Sequence, residues 1–258
     1  MTVSRKALLI GAAGNLGPTW AEALLENGVS VLGVGLDIER DPELIRIASI
    51  YKDFELRKFD LTSQEDLNSL SSILESEEIT EVIFNAGIDS RPGEGAQNIS
   101  DYDLEHFRKV FEINTFVASQ IIGTCSNYFR ISVGGRIVVI GSMYAEISPT
   151  PELYSHFNQG RGISKSPAYG ASKAALLSIV EQFSVHYAKD NVRINMLSPG
   201  GVLAAQDKFF IDKFQKKTPI ARMVLPAELK STLVWMLDPS NSQLIGKNIV
   251  LDGGYTTW

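Results

Sequence analysis

The sequence is most informative at Ile10-Gly11-Ala12-Ala13-Gly14-Asn15-Leu16-Gly17, near the start of a 258-residue chain. A short apolar run at residues 7–10 precedes this stretch, and a segment with helical spacing follows it. Glycines let the backbone turn tightly and approach a pyrophosphate, while a helix N-terminus offers free N–H groups and a partial positive charge. The stretch therefore favours a dinucleotide-binding strand, turn and helix over an ordinary corner between two elements.

Beyond this turn, short aliphatic runs alternate with longer segments of helical spacing along the whole chain. The predicted strands are residues 7–10, 29–34, 54–59, 81–84, 136–140, 192–197 and 247–251. The predicted helices are residues 16–27, 64–74, 104–129, 169–187, 207–217 and 226–237. This alternation predicts an α/β domain with a mostly parallel sheet and helices on both faces. Two irregular stretches, residues 144–167 and 200–226, follow predicted strands, so we expect them to border a binding site.

Composition and charge exclude several classes of protein. The chain is 44% hydrophobic and has a net charge of −6 without a Lys/Arg block, which argues against a nucleic-acid partner. No apolar stretch reaches membrane-spanning length, so no membrane partner is expected. A single cysteine, Cys125, excludes an internal disulfide framework and favours a reducing, cytoplasmic location. The three histidines share no metal-ligand spacing, so we expect no catalytic metal.

Asp37 is the residue that we expect to select between the two nicotinamide dinucleotides. It lies at the end of the second predicted strand, twenty residues beyond Gly17. A carboxylate there accepts hydrogen bonds from both hydroxyls of an adenosine ribose and repels a 2′-phosphate, which favours NAD over NADP. Arg40 weakens this preference, because an arginine can pair with the 2′-phosphate.

Tyr169 and Lys173 form the pattern from which the chemistry is predicted. They lie four residues apart at the start of a predicted helix and therefore share one helix face. A phenol ordinarily titrates near pKa 10, and a neighbouring ammonium is expected to lower that pKa. Ser142 follows the predicted strand 136–140 and can hold a substrate oxygen. Alone, the tyrosine and lysine are equally compatible with an exposed helix pair worth about a few tenths of a kcal/mol.

The motifs stand in the order seen in short-chain dehydrogenases/reductases, which the chain resembles over essentially its whole length. The set comprises Gly11, Gly14, Gly17, Asn85-Ala86-Gly87, Asn114, Ser142, Tyr169, Lys173, Pro199-Gly200 and Leu251-Asp252-Gly253-Gly254. The resemblance implies a single Rossmann domain over residues 1–258, with a doubly wound, seven-stranded parallel sheet flanked by helices on both faces. It also implies hydride transfer between NAD(P) and an alcohol/ketone pair.

The resemblance further implies a role for each site residue. Tyr169 would be the acid–base and Ser142 would orient the reacting oxygen, while Lys173 would lower the tyrosine pKa and bind the nicotinamide ribose. Asn114 would bend its helix and hold a water in a proton relay. The residues expected to bind the cofactor are Gly11, Gly14, Asn15, Leu16, Gly17, Asp37, Asp60, Leu61, Asn85, Ala86, Gly87, Tyr169, Lys173, Pro199, Gly200 and Val202.

Four features depart from the family pattern. Ile10 replaces the usual threonine of the glycine motif, Asn15 replaces its second glycine, and Ala204 lies where the family often has a threonine. Ser142 and Tyr169 are 27 residues apart, a longer gap than usual, so we interpret the segment between them as an insertion over the active site. These departures keep open the alternative of a catalytically silent dinucleotide-binding sensor or scaffold.

The insertion, residues 144–167, supplies most of the expected substrate contacts. Its polar residues include Tyr154, His156, Asn158, Gln159, Arg161 and Lys165. We expect substrate to be bound by Arg91, Ser142, Tyr154, His156 and Arg161. A solvated loop or a subunit contact explains the polar insertion equally well.

The loops and the chain end are most similar to a subgroup, the flagellin-modification protein A type. That resemblance implies a small-molecule substrate, a sugar phosphate or sugar nucleotide, with a non-sugar carbonyl metabolite as the alternative. An enoyl reductase is disfavoured, because that group spaces its tyrosine and lysine more widely. Family members commonly form homotetramers through two long helices, predicted here at residues 104–129 and 169–187, so a homotetramer or homodimer is expected.

Overall fold

The computed structural model describes residues 5–90 and 98–258. Within them the strands are β1 Lys6–Ile10, β2 Ser30–Gly35, β3 Phe54–Lys58, β4 Glu81–Phe84, β5 Gly135–Ile140, β6 Val192–Pro199 and β7 Asn248–Leu251. The α-helices are α1 Gly17–Leu25, α2 Pro42–Ile50, α3 Gln64–Ser76, α4 Leu104–Phe111, α5 Ala118–Ile131, α6 Ala168–Tyr187, α7 Lys208–Lys217 and α8 Pro226–Met236. Strands and helices alternate along the chain, as the apolar pattern predicts.

The strands of the described chain form one parallel sheet in the order β3-β2-β1-β4-β5-β6-β7. After β3 the chain returns past β1 to form β4, so the strand order reverses between β1 and β4. Ligands of such sheets bind beside this reversal, at the carboxyl ends of the strands. The predicted Rossmann-like fold with a seven-stranded parallel sheet is confirmed.

Two apolar layers enclose the sheet, and this explains why its strands have almost no polar alternation. Helices α3, α5 and α6 cover one face, where Leu8 of β1 contributes to the core. Helices α1, α2 and α8 cover the other face, where Leu9 of the same strand and Trp20 of α1 are completely buried. Successive residues of a strand point to opposite faces, so a strand buried on both faces is continuously apolar.

The insertion is held to the rest of the molecule by a third apolar cluster. Leu153 and Tyr154 of the insertion pack with Phe214 of α7 and Tyr255 near the chain end. The rings of Phe214 and Tyr255 stack with their centroids 4.7 Å apart. Residues 144–167 are therefore packed onto the domain rather than solvated on every side.

The apolar pattern predicts no helix at residues 42–50, whereas the structure has α2 there. The carboxylate of Asp41 accepts hydrogen bonds from the N–H groups of Glu43 and Leu44, and Pro42 is the first helical residue. These are regular features of a helix start. The helix buries only Leu44 and Ile47, so its apolar periodicity is too short to be recognised.

The long helix predicted at residues 104–129 is interrupted. A π-helical segment, Glu112–Val117, separates α4 from α5. Such segments are rare in proteins, and those that occur are often found at functional sites. This segment contains Asn114, whose side chain is completely buried.

Candidate active site

The glycine turn after β1 approaches the neighbouring strand too closely for any side chain. Gly11 has a φ of +82°, and a Cβ on it would lie 2.7 Å from the Cα of Ala86. A Cβ on Gly17 would lie only 1.9 Å from the carbonyl oxygen of Ala12. The turn therefore brings bare backbone to the start of α1, as a pyrophosphate-binding turn requires. These residues fit a bound dinucleotide.

Asn85 fixes this turn from the side. Its Nδ2 donates to the carbonyl oxygen of Gly11 at 2.8 Å, and its Oδ1 accepts from Nε1 of Trp20 at 2.8 Å. The asparagine, predicted to contact the cofactor, thus uses its side chain to join the glycine turn to α1. Sequence reasoning missed the role of Trp20, because nothing in the local pattern links an indole in α1 to a loop after β4.

Residues predicted to surround the adenosine lie at the ends of β2 and β3. Asp37 is exposed two residues after β2, and its carboxylate does not cap the short turn that follows it. The carboxylate of Asp60 accepts from the backbone N–H of Thr62 at 2.8 Å and from its hydroxyl at 2.7 Å. These hydrogen bonds lower the pKa of Asp60. Leu61 is half-buried next to it.

The remaining predicted cofactor residues lie at the carboxyl ends of the central strands. Ala86 and Gly87 follow β4, and a Cβ on Gly87 would lie 3.3 Å from Nζ of Lys173. Pro199 ends β6, and Gly200 donates its N–H to the carbonyl oxygen of Leu251 at 2.8 Å. Val202 pairs with Val224 in an isolated parallel bridge.

Gln206 is a further residue at this edge that sequence reasoning missed. Its Nε2 donates to the carbonyl oxygen of Val202 at 2.8 Å, and its Oε1 accepts from the N–H of Ala204 at 2.7 Å. The glutamine therefore holds the backbone where the family often has a threonine. Gln206 lies two residues after that threonine site, and no local sequence pattern predicts its contacts with the backbone.

The structure brings Tyr169, Lys173 and Ser142 together. Tyr169 and Lys173 occupy successive turns of α6, and the ammonium of Lys173 lies 5.8 Å from the centre of the Tyr169 ring. Lys173 donates to the carbonyl oxygen of Ile140 at 2.9 Å. Ser142 follows β5 and accepts at its Oγ from the N–H of Tyr144 at 3.2 Å.

The electrostatics of Tyr169 differ from the sequence-based expectation. Burial and, second, the negative charge of Asp89 raise the pKa of Tyr169 to about 12, although the hydroxyl of Ser142 acts in the opposite direction. Burial lowers the pKa of Lys173 to about 8. The net shift of the Tyr169 pKa is therefore upward because burial is its largest cause, and the lowering effect expected of Lys173 stays a prediction.

Asn114 joins three elements beside Lys173. Its Nδ2 donates to the carbonyl oxygen of Ile88 at 2.9 Å and to Oγ of Ser172 at 3.1 Å, while its Oδ1 accepts from the N–H of Ile88 at 2.8 Å. The π-helical segment is thereby tied to the loop after β4 and to α6. The predicted role of Asn114 in holding a relay water stays a prediction.

Ser142 and Tyr169 line a cavity of about 480 Å³ between the sheet edge, the insertion and α7. Its wall is largely apolar and aromatic, with contributions from Met143, Tyr144, Tyr154, Phe157, Ile163, Phe210, Phe214 and Met223. Its charged lining residues are Asp89, Lys165 and Asp207. A small organic molecule in this cavity would place a reacting oxygen beside the Tyr169 phenol and the Ser142 hydroxyl.

The predicted substrate residues of the insertion separate into two groups. Tyr154 lines the cavity, where its hydroxyl lies 3.5 Å from that of Tyr144. The imidazole of His156 does not line it, because its Nε2 lies 3.0 Å from Oδ1 of Asp207 and its Nδ1 lies 3.1 Å from Nζ of Lys213. Arg161 is exposed and does not line it.

Arg91 lies outside the described residues. Asp89 lines the cavity and is a residue that sequence reasoning missed, because no motif marks it.

No group of three or more His, Cys, Asp or Glu side chains in residues 5–90 and 98–258 could hold a metal ion. None of the helices in the same residues is both long enough and apolar enough to cross a membrane.

Known proteins resemble this chain along nearly its whole length. A family model described as enoyl-(acyl carrier protein) reductase matches residues 11–256. A D-arabinitol 2-dehydrogenase (ribulose-forming) of Candida tropicalis is 24% identical over 97% of this chain and 92% of its own. An NAD-dependent glycerol dehydrogenase of Listeria innocua is 27% identical over 97% of this chain and 93% of its own.

The solved structure of a gluconate 5-dehydrogenase from Burkholderia cenocepacia, in complex with NADP and tartrate, has a TM-score of 0.82 to this fold. It is 20% identical, and the match covers 98% of this chain and 96% of that chain. The likeness supports the fold.

The glycine turn, together with Ser142, Tyr169 and Lys173, defines a dinucleotide-dependent oxidoreductase that acts on a CH–OH group. The chain belongs to the short-chain dehydrogenase/reductase family, and its cofactor is NAD(P). The matching family model carries the description of an enoyl reductase, whereas Tyr169 and Lys173 keep the four-residue spacing that disfavours that activity.

Proposed function

We propose that this chain catalyses the reversible oxidation of a secondary hydroxyl group of a neutral polyol, with the matching ketose as the other member of the pair. One observation supports this most strongly. Ser142 and Tyr169 share the wall of a cavity that lies at the carboxyl edge of a sheet whose glycine turn fits a dinucleotide. The two relatives described above act, by their names, on arabinitol and glycerol.

Each catalytic side chain has a role that follows from its surroundings. Ser142 holds the reacting oxygen, and Tyr169 takes its proton during oxidation and returns it during reduction. Lys173, whose pKa burial lowers to about 8, holds the nicotinamide ribose through its ammonium. When bound, the nicotinamide supplies or accepts the hydride. Its positive charge in the oxidised form would favour the phenolate of Tyr169.

The charge of the cavity favours a neutral substrate over a phosphorylated one. Among the described lining residues, Asp89 and Asp207 carry negative charge, and the ammonium of Lys165 is already paired with Asp89. A phosphate would be repelled by these two carboxylates, and it would have to compete with Asp89 for the ammonium of Lys165. The prediction of a sugar phosphate or sugar nucleotide therefore depends on Arg91, and the flagellin-modification subgroup stays a prediction.

A turnover assay tests the proposed function. Purified protein would be incubated with NAD or NADP and with D-arabinitol, glycerol or xylitol, and each polyol would be compared with a phosphorylated counterpart. We expect cofactor reduction with the neutral polyols and at least about tenfold lower kcat/KM with the phosphates. A preference for the phosphates would contradict the neutral-substrate proposal. Turnover of simple ketones alone would favour the non-sugar carbonyl alternative.

We also propose that NAD is the preferred cofactor, because Asp37 is exposed at the end of β2. Replacing Asp37 with serine is expected to raise KM for NAD about tenfold or more, since a charged hydrogen-bond acceptor for the ribose is lost. KM for NADP should fall, because the repulsion of its 2′-phosphate is removed. Steady-state kinetics with both cofactors measure this. Glu39→Gln is the control, and a wild-type preference for NADP would contradict the proposal.

Asp89 is expected to control the pH dependence of the reaction. The groups that face Tyr169 are Asp89, Lys165, Lys173 and Ser142. Asp89 raises the pKa of Tyr169, so Asp89→Asn should lower it and favour the phenolate that oxidation needs. The rising limb of kcat/KM for polyol oxidation should therefore move to lower pH. The pH profiles of kcat/KM for wild type and Asp89→Asn measure this shift, and Asp212→Asn, which changes an exposed carboxylate, is the control. A rising limb that stays in place or moves to higher pH in Asp89→Asn would contradict the prediction.

We further propose a homotetramer or homodimer formed through α4, α5 and α6. Phe116 in the π-helical segment and Val185 in α6 are 61% and 76% exposed, although both are large apolar residues on these helices. Burial of such residues against a second copy would remove apolar surface from water.

A cytoplasmic location stays a prediction. The silent-sensor alternative is disfavoured by the complete set of Ser142, Tyr169 and Lys173.

A further inference from the structure

One ion pair, Asp89 with Lys165, lies on the wall of the cavity that Ser142 and Tyr169 line. Asp89 follows β4, and Lys165 belongs to the insertion, so the two residues come from separate parts of the chain. Both line the cavity together with Tyr169. The ammonium of Lys165 lies 5.7 Å from the centre of the Tyr169 ring and 6.0 Å from that of Tyr154. The pair is therefore next to the place where the reacting oxygen binds.

Both members of the pair have more hydrogen-bonding capacity than their contact with each other uses. Oδ2 of Asp89 contacts the Lys165 ammonium, and Oδ1 accepts from the N–H of Ser90 at 2.7 Å. A carboxylate oxygen has two acceptor positions, and an ammonium has three N–H groups. A salt bridge that is only 16% and 27% exposed also costs desolvation and contributes little to stability. Its position on the cavity wall points to a role in binding.

We propose that the Asp89–Lys165 pair recognises a hydroxyl group on the carbon next to the reacting carbon, so that the substrates are vicinal diols and α-hydroxyketones. The inference depends on the proposed function and makes it more specific. A hydroxyl group both donates and accepts, and the pair offers an acceptor and a donor side by side. A carboxylate or phosphate matches only the lysine and is repelled by Asp89. A simple ketone offers this pair neither a donor nor an acceptor on the neighbouring carbon.

The test compares two ketones that differ only in the neighbouring hydroxyl groups. Reduction of dihydroxyacetone and of acetone would be measured with the preferred reduced cofactor in wild type, Asp89→Asn and Lys165→Met. The ratio of the two kcat/KM values removes any effect on the shared chemical step, including a changed Tyr169 pKa. Wild type should prefer dihydroxyacetone by about 100-fold or more, and each variant should lower the ratio at least about tenfold, mainly through KM.

Two matched variants serve as controls. Asp212→Asn removes an exposed carboxylate of α7, and Lys217→Met removes an ammonium that pairs with Glu152 of the insertion outside the cavity. Both should keep the wild-type ratio. If Asp89→Asn does not fold, the ratio measured with Lys165→Met decides the test. Lys165 lies at the end of the insertion, and methionine preserves part of its methylene chain.

The possible results separate this inference from the proposed function. If wild type prefers dihydroxyacetone and the ratio in both variants stays within threefold of wild type, the role of the ion pair is overturned while the proposed function stands. If wild type reduces acetone and dihydroxyacetone with similar kcat/KM values, the vicinal-hydroxyl requirement is overturned. If wild type reduces neither ketone, nor any polyol pair, the proposed function fails and this inference fails with it.

Discussion

Replacing Tyr169 with phenylalanine is expected to lower kcat by about 10²- to 10⁴-fold while leaving the Kd for the cofactor within about twofold of wild type. The reason is that phenylalanine fills the same space but has no hydroxyl group to take or return the proton. Stopped-flow or steady-state cofactor absorbance measures the rate, and protein fluorescence measures cofactor binding. Unchanged binding with lost turnover assigns the loss to proton transfer rather than to folding.

The matched control for this variant is Tyr154→Phe. Tyr154 lines the same cavity and its hydroxyl lies 3.5 Å from that of Tyr144, but it has no lysine one turn away. We expect its kcat to fall less than about tenfold. Equal losses in the two variants would contradict the assignment of Tyr169 as the acid–base residue.

Replacing Gly17 with alanine is expected to abolish measurable cofactor binding and to lower the free energy of unfolding by about 3 kcal/mol. An added Cβ would lie 1.9 Å from the carbonyl oxygen of Ala12, a contact with backbone that no side-chain rotation relieves. The start of α1 must then move away from the turn. Urea unfolding and titration with NAD measure the two effects.

Gly123→Ala is the control for this glycine variant. Gly123 lies inside α5, and a Cβ there would sit 3.4 Å from the ring of Phe183, an ordinary contact. Since alanine favours a helix interior over glycine by about 1 kcal/mol, this variant should be as stable as wild type or slightly more stable. A Gly17→Ala protein that binds NAD normally would contradict the proposed dinucleotide site.

The fold was predictable because its decisive signals are local. The glycine turn that ends in Gly17 marks the join between β1 and α1, and strands buried on both faces appear as continuous apolar runs. Helix α2 was missed because it buries only Leu44 and Ile47, although Asp41 and Pro42 mark its start. The apolar spacing did not predict the π-helical segment, because it does not distinguish a π turn from an α turn; only the family resemblance implied that Asn114 bends this helix.

The site was predictable only in part, and the difference lies in long-range contacts. Tyr169 and Lys173 are four residues apart, so their proximity follows from helix geometry alone. Asp89 and Lys165 are 76 residues apart and meet only because the insertion packs over the sheet edge. The direction of His156, towards Asp207 rather than the cavity, depends on the same packing.

The pKa of Tyr169 could not be predicted from its neighbour in sequence. A lysine four residues away predicts a lowered pKa, but the pKa depends on burial and on Asp89, and both are tertiary properties. The same applies to Asn85, whose side-chain contacts with Gly11 and Trp20 are long-range and have no local sequence pattern. Motif order identifies the residue types, while packing decides what each side chain touches.

The proposed reaction is hydride transfer between a nicotinamide and a polyhydroxylated carbon chain, with Tyr169 as the residue that transfers the proton. Its most direct test is reduction of D-ribulose with NADH that carries deuterium at both hydrogen positions of C4, followed by mass spectrometry of the sugar product. Wild type is expected to place one deuterium on the reduced carbon of the polyol, and Tyr169→Phe should place almost none in the same time. Normal binding of the labelled cofactor by wild type, with no deuterium in any polyol product of a ketose panel, would contradict the claim.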